Sequence, residues 1–323
     1  MMIDGYVPHL MHRSQAGRYE KLYSRLTGNY RQIGNLLSEP RTRLIHAHFL
    51  QDGASILPPP ARRGIPLVVT AHGYDATVTV REHARRTEGL WYLALKPFLQ
   101  RYVHGVICVS QWIKQCLLEA GYPEEKLRVI PLGIDTASLP HPPSTERRRG
   151  TLFVGRLVEK KGVNYLLDAW AQLPARARSE PLTIIGDGPL MPKLVEQARH
   201  LDIKPTFLGA RSRADVFAAM ASHRIFAMPS IRAANGDSEG LPIVLMEAQG
   251  MGMAIVAFDD GPMREAIKPG VSGLLARSRS VEDFADHLRT LLLAPDLCED
   301  FGKAGREHVA SRFDLRHRVA ALD

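Results

Sequence analysis

A chain of 323 residues with 45% hydrophobic residues is long enough for two domains that each bury a core. Its three cysteines, Cys108, Cys116 and Cys298, lie far apart and follow no C-x-x-C spacing, which argues against a disulfide framework or a zinc site and favours a reducing compartment. Residues 151–323 contain 22 Lys and Arg and 22 Asp and Glu, so the net charge of +8 lies in residues 1–150. A basic surface of this kind attracts anionic lipid, nucleic acid or phosphorylated substrates, and a solvated basic surface without a partner is the alternative.

The amino-terminal segment, residues 1–40, is polar and rich in Tyr and Arg, and its pattern predicts a helix from Ser14 to Leu37. Histidines and arginines interrupt its apolar residues, so it does not read as a signal peptide. No apolar run long enough to cross a membrane follows later in the chain. We therefore expect a protein that is soluble or peripheral to a membrane.

Short apolar runs alternate with amphipathic stretches through the rest of the chain, a rhythm typical of a parallel α/β protein. In the first half this rhythm predicts strands at 44–49, 67–72, 106–110 and 128–131, with helices at 88–103 and 111–120. In the second half it predicts strands at 151–154, 182–185, 206–208, 225–228 and 254–258, with helices at 163–173, 190–200 and 242–249.

The stretch 139–150 separates the two halves. It combines three prolines with a run of charge and has no apolar periodicity, which predicts an exposed linker. We therefore expect an amino-terminal domain at 1–138 and a carboxy-terminal domain at 151–323.

Histidines mark two strands of the first half, in LIHAHF at 44–49 and VVTAHGYD at 68–75. His72 ends its strand, where open parallel sheets bind ligands in the crevice beyond the strand ends. His46 and His48 share one face of a strand, but no third ligand of matching spacing follows, so we expect no metal site.

A basic loop, GRLVEKKG at 155–162, follows the strand at 151–154. The planar fork of Arg156 and the point charge of Lys161 together suit a diphosphate. A basic loop that merely follows a strand is the alternative.

An acidic segment, DSEGLPIVLME at 237–247, contains a predicted helix start. Pro242 is tolerated at the first helical position, which places Glu239 in the preceding loop and Glu247 on the second turn. Gly240 lets the backbone approach a ligand, and the free N–H groups and helix dipole favour an anion there. Glu247 can then accept both hydroxyls of a ribose, while Glu239 accepts sugar hydroxyls or faces developing positive charge. Two acids that simply stabilise the helix start are the alternative.

These motifs together resemble the retaining glycosyltransferases of family 4, which have the GT-B fold. The resemblance rests on the two histidine segments and on GRLVEKKG at 155–162, IIGDGP at 184–189, FLG at 207–209, MPS at 228–230, EGLPIVLMEA at 239–248, AIVAFDDGPMREAI at 254–267, GVSGLL at 270–275 and GREHVASRF at 305–313. It implies an α/β protein with two Rossmann-like domains that face each other across a cleft, the last helix crossing back to the amino-terminal domain.

The resemblance also implies how a nucleotide-sugar donor is bound. Arg156 and Lys161 would hold its diphosphate together with the N–H groups near Gly240 and Leu241, and Glu247 would bind the ribose. Further donor contacts are implied at Gly155, Gly186, Gly209, Arg211 and Pro242.

At the reaction centre the resemblance implies that His72 and Glu239 contact the donor sugar. The cations and the helix start would stabilise the departing diphosphate, so neither a metal nor another cofactor is expected.

One feature departs from the family pattern. Family members open with a strand, a glycine-rich loop and a helix on the acceptor side, and residues 1–40 show no such pattern. We therefore expect a misplaced start codon, a truncated gene, or an amino-terminal domain with a reduced sheet.

The leading hypothesis is a hexosyltransferase that moves a sugar from a nucleotide-diphosphate donor to a carbohydrate or lipid-linked acceptor, with retention of configuration, in bacterial exopolysaccharide or lipopolysaccharide synthesis. The alternative is a truncated homologue that binds nucleotide-sugar with little or no turnover. A nicotinamide-dependent oxidoreductase is disfavoured, because the glycines at Gly186 and Gly188 lack the third glycine of G-x-G-x-x-G. We expect a cytoplasmic enzyme, peripheral on the inner face of the membrane, without a nucleic-acid partner.

Overall fold

The structure of the chain, a computed structural model, describes residues 42–57, 64–140 and 148–321. The helix predicted at 14–37 lies outside these residues. Among the described residues the chain divides into two compact units. The first contains residues 42–57, 64–70 and 83–106, and the second contains residues 71–82, 107–140 and 148–321.

The first sheet has four strands in the order β1-β2-β3-β4. Its elements are β1 (Ile45–His48), α1 (Leu50–Ile56), β2 (Leu67–Ala71), α2 (Tyr74–Thr77), α3 (Val80–Ala84), α4 (Thr87–Tyr102), β3 (Gly105–Cys108), α5 (Gln111–Glu119) and β4 (Leu127–Val129). Strands β1 and β2 pair in parallel, with His48 opposite Thr70. The apolar centres of the strands, such as Val69 and Val106, are fully buried, as is usual for a sheet covered on both faces.

The second sheet has six strands in the order β10-β9-β8-β5-β6-β7, and every pair is parallel. Its strands are β5 (Thr151–Val154), β6 (Leu182–Ile185), β7 (Thr206–Gly209), β8 (Ile225–Met228), β9 (Ala254–Asp259) and β10 (Gly273–Arg277). The chain builds outward from β5 through β6 to β7, then returns to place β8 on the other side of β5. The direction of the strand order therefore reverses between β5 and β8, and such a reversal opens a crevice beyond the carboxyl ends of those two strands.

Helices cover both faces of the second sheet. The helices of this part of the chain are α6 (Val163–Ala171), α7 (Ala175–Arg178), α8 (Met191–His200), α9 (Arg213–Ser222), α10 (Ile243–Gly250), α11 (Met263–Ala266), α12 (Val281–Leu293) and α13 (Pro295–Arg312), followed by α14 (Leu315–Val319), which lies beside Gly133. Aliphatic side chains make up most of the core between sheet and helices, together with aromatic ones such as Phe258 and Phe284, whose ring centroids are 4.9 Å apart. Residues just before α14 pair with Ile134, whose N–H donates to the carbonyl of Phe313 at 2.9 Å.

Most predicted elements are present with small shifts at their ends. The strands predicted at 151–154, 182–185 and 225–228 have the predicted bounds. Strand β10 was not predicted, because the glycine at its start and the charge at its end weaken the sequence pattern of a strand. The strand forms by pairing with β9. Pro242 is the residue before α10 and not its first helical residue, since its ψ of 108° is extended.

Arg148 corrects the prediction of an exposed linker at 139–150. Its side chain is 2% exposed, and its Nη1 donates to the carbonyls of Met251 at 2.9 Å and Gly252 at 3.3 Å. The guanidinium thus satisfies carbonyls at the carboxyl end of α10, a position that favours a cation. Burial, with a further contribution from the positive charge of Arg306, lowers the pKa of Arg148 to about 10.

No helix within residues 42–57, 64–140 and 148–321 is both long enough and apolar enough to cross a membrane.

Candidate functional site

The loops that follow β5, β6 and β8 are packed against one another at the carboxyl edge of the second sheet. A Cβ at Gly186 would lie 1.8 Å from the carbonyl oxygen of Gly155, and one at Gly162 would lie 1.9 Å from that of Pro229. Gly162 also has a φ of +61°, which side chains rarely adopt. These glycines allow the loops to meet at the point where the strand order reverses.

A buried ion pair joins the loops after β5 and β8. The Nζ of Lys161 lies 2.7 Å from the Oε1 of Glu239, and the two side chains are 13% and 11% exposed. The hydroxyl of Ser230 donates to the same carboxylate oxygen at 3.2 Å. Burial raises the pKa of Glu239, but the ammonium groups of Lys161 and Lys160 and the hydrogen bonds to its carboxylate outweigh burial and hold the pKa below its usual range. Glu239 is therefore ionised at neutral pH.

A second ion pair and two backbone contacts hold the same loops in register. Lys160 and Asp237 are 2.9 Å apart between Nζ and Oδ1. The N–H of Ile231 donates to the carbonyl of Lys160 at 2.8 Å, and the N–H of Ala234 donates to the carboxylate of Glu159 at 2.8 Å. The basic loop and the acidic loop, which are distant in sequence, form one structure.

The segment that ends β2 lies against the start of the acidic loop, within the second unit. A Cβ at Gly240 would lie 1.7 Å from the carbonyl oxygen of His72. The N–H of Ser238 donates to the hydroxyl of Thr77 at 3.2 Å. The carboxylate of Asp75 accepts from the N–H of His72 at 3.0 Å, which fixes the backbone where β2 ends. The structure thus brings the backbone of His72 against Gly240, the neighbour of Glu239.

Ser110 ties the amino end of α5 to the acidic loop. Its hydroxyl donates to the carbonyl of Gly240 at 2.7 Å and accepts from the N–H of Ile113 at 3.2 Å. The carboxylate of Glu265 accepts from the N–H groups of Gln111 at 2.7 Å and Trp112 at 2.8 Å. The adjacent N-cap Ser110 and the distant Glu265 therefore together satisfy the first N–H groups of this helix.

Glu247 lies on the second turn of α10, as predicted, and is half-buried. Its Oε1 is 3.1 Å from the Nη2 of Arg213, which is 70% exposed on the first turn of α9. Burial raises the pKa of Glu247, and the positive charge of Arg213 and its hydrogen bond oppose that rise in part. Glu247 and Glu239 thus occupy different electrostatic environments at the two ends of the acidic motif.

The remaining predicted residues lie around this centre. Arg156 and Arg211 are exposed, whereas Leu241 and Pro242 are buried. Gly209 has a φ of +68°, and its carbonyl accepts from the N–H of Gly186 at 2.9 Å, which joins the ends of β6 and β7. The N-cap residue of the helix at 243–250, Pro242, makes no side-chain capping hydrogen bond.

Sequence reasoning missed several residues that contact the predicted ones or help to hold the surrounding segments in place. These are Ser110, Lys160, Arg213, Ser230, Asp237 and Glu265. One sequence signal was available for Arg213: Ser212 and Asp215 form a capping box, which marks the start of a helix beside Gly209. The Gly240 partner of Ser110 and both partners of Glu265 are more than 100 positions away, so no local signal points to these contacts.

His46 and His48 are placed on one strand, with ring centroids 4.9 Å apart. The Nε2 of His46 lies 2.7 Å from the hydroxyl of Thr70, and burial, with the neighbouring His48, lowers the pKa of His46. Within the part of the chain that the structure describes, no three His, Cys, Asp or Glu residues gather as a metal site would require.

Comparison with family models gives two matches. Residues 139–308 match the model described as Glycosyl transferases group 1. Residues 7–138 match the model described as Glycosyltransferase Family 4.

Two bacterial proteins illustrate the sequence relatives. The GDP-mannose-dependent alpha-(1-6)-phosphatidylinositol monomannoside mannosyltransferase of Mycobacterium tuberculosis is 30% identical over 221 residues, which are 64% of this chain and 57% of the relative. The putative colanic acid biosynthesis glycosyltransferase WcaL of Escherichia coli is 30% identical over 217 residues, which are 64% of this chain and 53% of the relative. The matches thus span little more than half the length of these relatives.

Solved structures share the fold. The Anabaena protein HepE in complex with UDP superposes with a TM-score of 0.73 at 23% identity, over 86% of this chain and 77% of that chain. Sucrose-phosphate synthase from Thermosynechococcus elongatus superposes with a TM-score of 0.71 at 20% identity, over 98% of this chain and 78% of that chain. The predicted fold class is confirmed: the chain has the GT-B fold, with parallel sheets in two Rossmann-like domains.

Proposed function

Because the chain belongs to the glycosyl transferases of group 1 and is related to enzymes of bacterial polysaccharide biosynthesis, we propose that it transfers a hexose from a nucleotide-diphosphate donor to a carbohydrate or lipid-linked acceptor with retention of configuration. The setting we propose is the assembly of bacterial surface polysaccharide at the inner face of the cell membrane. The domain division that fits this function is 1–138 for the acceptor, 139–150 as the connection and 151–323 for the donor.

The observation that carries the proposal is the buried pair of Lys161 and Glu239 beyond the carboxyl ends of β5 and β8. Lys161 offers an ammonium group, and Arg156, exposed in the same loop, offers a guanidinium group. The amino end of α10 adds N–H groups that its N-cap residue, Pro242, does not cap with a side chain. Positive charge from three sources at one edge of the sheet suits a diphosphate.

The proposed reaction breaks the bond between the anomeric carbon and the diphosphate oxygen. Positive charge then develops on the sugar, and we assign Glu239, which is ionised, to stabilise that charge. The acceptor hydroxyl attacks from the face that the diphosphate leaves, and a diphosphate oxygen takes its proton. His72 completes the sugar site from the end of β2. Since Lys161, Arg156 and the helix start neutralise the leaving group, we propose that no divalent metal is needed.

Glu247 is proposed to bind the ribose of the donor. Its half-buried carboxylate can accept from two neighbouring hydroxyls, and Arg213 holds one of its oxygens in the structure. Gly155, Gly186, Gly209 and Arg211 would complete the donor site where β5, β6 and β7 end.

The names of related proteins indicate which donors to test first. Relatives are named for GDP-mannose, and neighbouring structures contain UDP or UDP-glucose. A thermal-shift series with GDP-mannose, UDP-glucose and an ADP-sugar should yield stabilisation by one base, reaching about 2.7 kcal/mol at roughly 100 times the Kd. Transfer would then be measured with that donor, and the anomeric configuration of the product by NMR. An inverted product or loss of activity in EDTA would contradict the proposed mechanism.

Residue roles are tested with matched variants. Lys161→Ala should weaken donor binding by about tenfold or more, because a charge-assisted hydrogen bond contributes about 1.5–3 kcal/mol. Lys193→Ala, which removes an exposed ammonium on α8, should leave donor affinity unchanged. Equal affinities in calorimetry for both variants would overturn the donor site. Donor binding without any transfer would identify a nucleotide-sugar-binding homologue instead of an enzyme.

The proposed ribose contact of Glu247 can be tested by comparing ligands with and without the ribose hydroxyls. Glu247→Ala should weaken binding of the ribonucleoside diphosphate by about tenfold or more, whereas binding of its 2′,3′-dideoxy analogue should hardly change. Arg213→Ala is the control, because it removes the partner of Glu247 and keeps the carboxylate. Calorimetry with both ligands would contradict the ribose role if Glu247→Ala weakened them equally.

A further inference from the structure

The peptide unit between Gly240 and Leu241, in the acidic loop, is held by a side chain from a distant part of the chain. The hydroxyl of Ser110 donates to the carbonyl of Gly240 at 2.7 Å, across a separation of 130 positions. Both residues are buried, and Ser110 is 0% exposed. Because water does not compete with a buried hydrogen bond of this length, the bond holds the carbonyl in one direction.

The start of helix α5 fixes the position of the Ser110 hydroxyl. Its Oγ accepts from the N–H of Ile113 at 3.2 Å, as the N-cap of the helix. A hydroxyl has one proton, and this acceptance leaves that proton for the loop. The carboxylate of Glu265 holds the N–H groups of Gln111 and Trp112. The donor of the bond therefore belongs to a helix start that is itself tied in place.

Gly240 cannot fix the peptide that follows it by its own conformation. A side chain is excluded at this position, because a Cβ would lie 1.7 Å from the carbonyl oxygen of His72. Without a Cβ, a glycine can rotate its ψ through values that other residues avoid, and rotation of ψ turns the next peptide. The close packing against His72 thus requires a residue whose next peptide turns easily, and the bond from Ser110 restrains that peptide.

The orientation of this peptide decides where the N–H of Leu241 points. The peptide is trans, so its N–H points in the direction opposite to its C=O and therefore away from Ser110. Leu241 is 5% exposed, and its N–H has no hydrogen-bond acceptor within residues 42–57, 64–140 and 148–321. An N–H group of a buried residue without a protein acceptor is available to a ligand oxygen.

We infer that Ser110 is a positioning residue for the donor diphosphate. By holding the carbonyl of Gly240, it keeps the N–H of Leu241 directed at a diphosphate oxygen before the start of α10. If the peptide turned over, a carbonyl oxygen would take the place of that N–H and repel the anion. The inference rests on the proposed function, because it assigns a task within the donor site proposed there.

Helix capping alone does not require the bond to Gly240. A capping serine needs only its oxygen, as at the start of α12, where the Oγ of Ser280 accepts from the N–H of Asp283 at 3.3 Å. Ser110 caps α5 in the same way and also donates to a loop that is distant in sequence. A substitution at Ser280 is therefore the matched control for the loss of a cap.

The experiment compares Ser110→Ala with Ser280→Ala in the full chain by calorimetry. GDP, UDP and ADP are titrated into the wild type, and the nucleotide that binds is used throughout. Ser110→Ala should raise its Kd by about tenfold, because the diphosphate loses a well-directed hydrogen bond to a charged group. Ser280→Ala should keep the wild-type Kd. Ser110→Thr retains a hydroxyl and should bind within about twofold of the wild type.

A second measurement observes the peptide itself. In protein labelled with ¹⁵N-leucine, the amide signal of Leu241, assigned by its absence in Leu241→Met, should move when the nucleotide is added to the wild type. In Ser110→Ala it should move less at saturating nucleotide, where occupancy is complete in both proteins. A loss of stability alone would not change this movement. Should Ser110→Ala not fold, Ser110→Cys, which has a similar size and a weaker donor, replaces it in both measurements.

The outcomes separate the inference from the proposed function. Equal Kd values for Ser110→Ala and Ser280→Ala would overturn the inference and leave the donor site intact. Weak binding by a folded Ser110→Thr, or an unchanged Leu241 movement in Ser110→Ala, would overturn it in the same way. A wild type that binds none of the three nucleotides would reject the proposed function, and the inference with it.

Discussion

At the scale of single residues, Lys161 and Glu239 depend on each other before any ligand arrives. Each side chain is largely withdrawn from water, and each supplies the opposite charge that the other needs. The sequence predicted both residues as functional but did not predict that they pair. The pair keeps the carboxylate ionised and the ammonium in place, so the fold itself prepares the site.

Removing one partner of this pair should cost more than removing both charges. Lys161→Ala leaves a buried carboxylate and should lower the free energy of unfolding by about 3–5 kcal/mol, reduced to the extent that Lys160 compensates. Lys161→Ala with Glu239→Gln should recover part of that loss, because a neutral amide is less costly to bury. Urea denaturation at neutral pH measures both, and a double variant no more stable than Lys161→Ala would contradict the prediction.

The same carboxylate should make stability depend on pH. Since the pKa of Glu239 is held below its usual range, its ionisation stabilises the fold above the ordinary glutamate pKa of about 4.3, and this contribution disappears as the pH falls through the lower folded value. The stability difference between wild type and Glu239→Gln should therefore shrink in acid. A difference that grew as the pH fell would show that the pKa is raised instead.

At the scale of elements, helix α5 is held at its amino end by acceptors from outside the helix. Ser110 and Glu265 supply them, and Ser110 also bonds to the carbonyl of Gly240 beside Glu239. The position of this helix and the position of the acidic loop are therefore coupled through one hydroxyl.

Loss of the Glu265 carboxylate should loosen this arrangement. Glu265→Ala leaves the N–H groups of Gln111 and Trp112 without their acceptor and should lower the free energy of unfolding by about 1–2 kcal/mol. Arg264→Ala, next to it on α11, breaks an exposed pair with Asp259 and should cost no more than about 0.5 kcal/mol. Urea denaturation of both variants checks the prediction, which fails if their effects are equal.

The predictability of the elements follows from how each is stabilised. Strands β5, β6 and β8 were predicted with their bounds because their continuous apolar runs are buried on both faces, a pattern that is visible locally. Strand β10 was missed because it forms by pairing with β9, and the burial of Arg148 was missed because its partner carbonyls lie at the end of α10, more than 100 positions away. The charged residues of the site could be predicted from their residue types and their positions in loops after strands. The roles of Ser110 and Glu265 could not, because they depend on tertiary contacts.

At the scale of the whole molecule, the proposed donor residues belong to the second unit. A bound donor should therefore protect this unit selectively. Hydrogen exchange read by mass spectrometry should slow in the loops after β5 and β8 when the donor is added, while α1 and the buried face of α4 change little. Lys161→Ala should reduce the slowing at a donor concentration close to the wild-type Kd. Uniform protection of both units would contradict the prediction.

The reversal of strand order at β5 has a consequence for the newly made chain. During synthesis β5, β6 and β7 emerge first, and β5 is then an open edge whose apolar residues and unpaired backbone groups can join another chain. Only when β8 emerges and pairs with β5 does that edge close, and the same event brings Ser230 and Glu239 to Lys161. The same step thus protects the chain from aggregation and assembles the charged centre. A nascent chain arrested before β8 would be prone to aggregation and would lack the site.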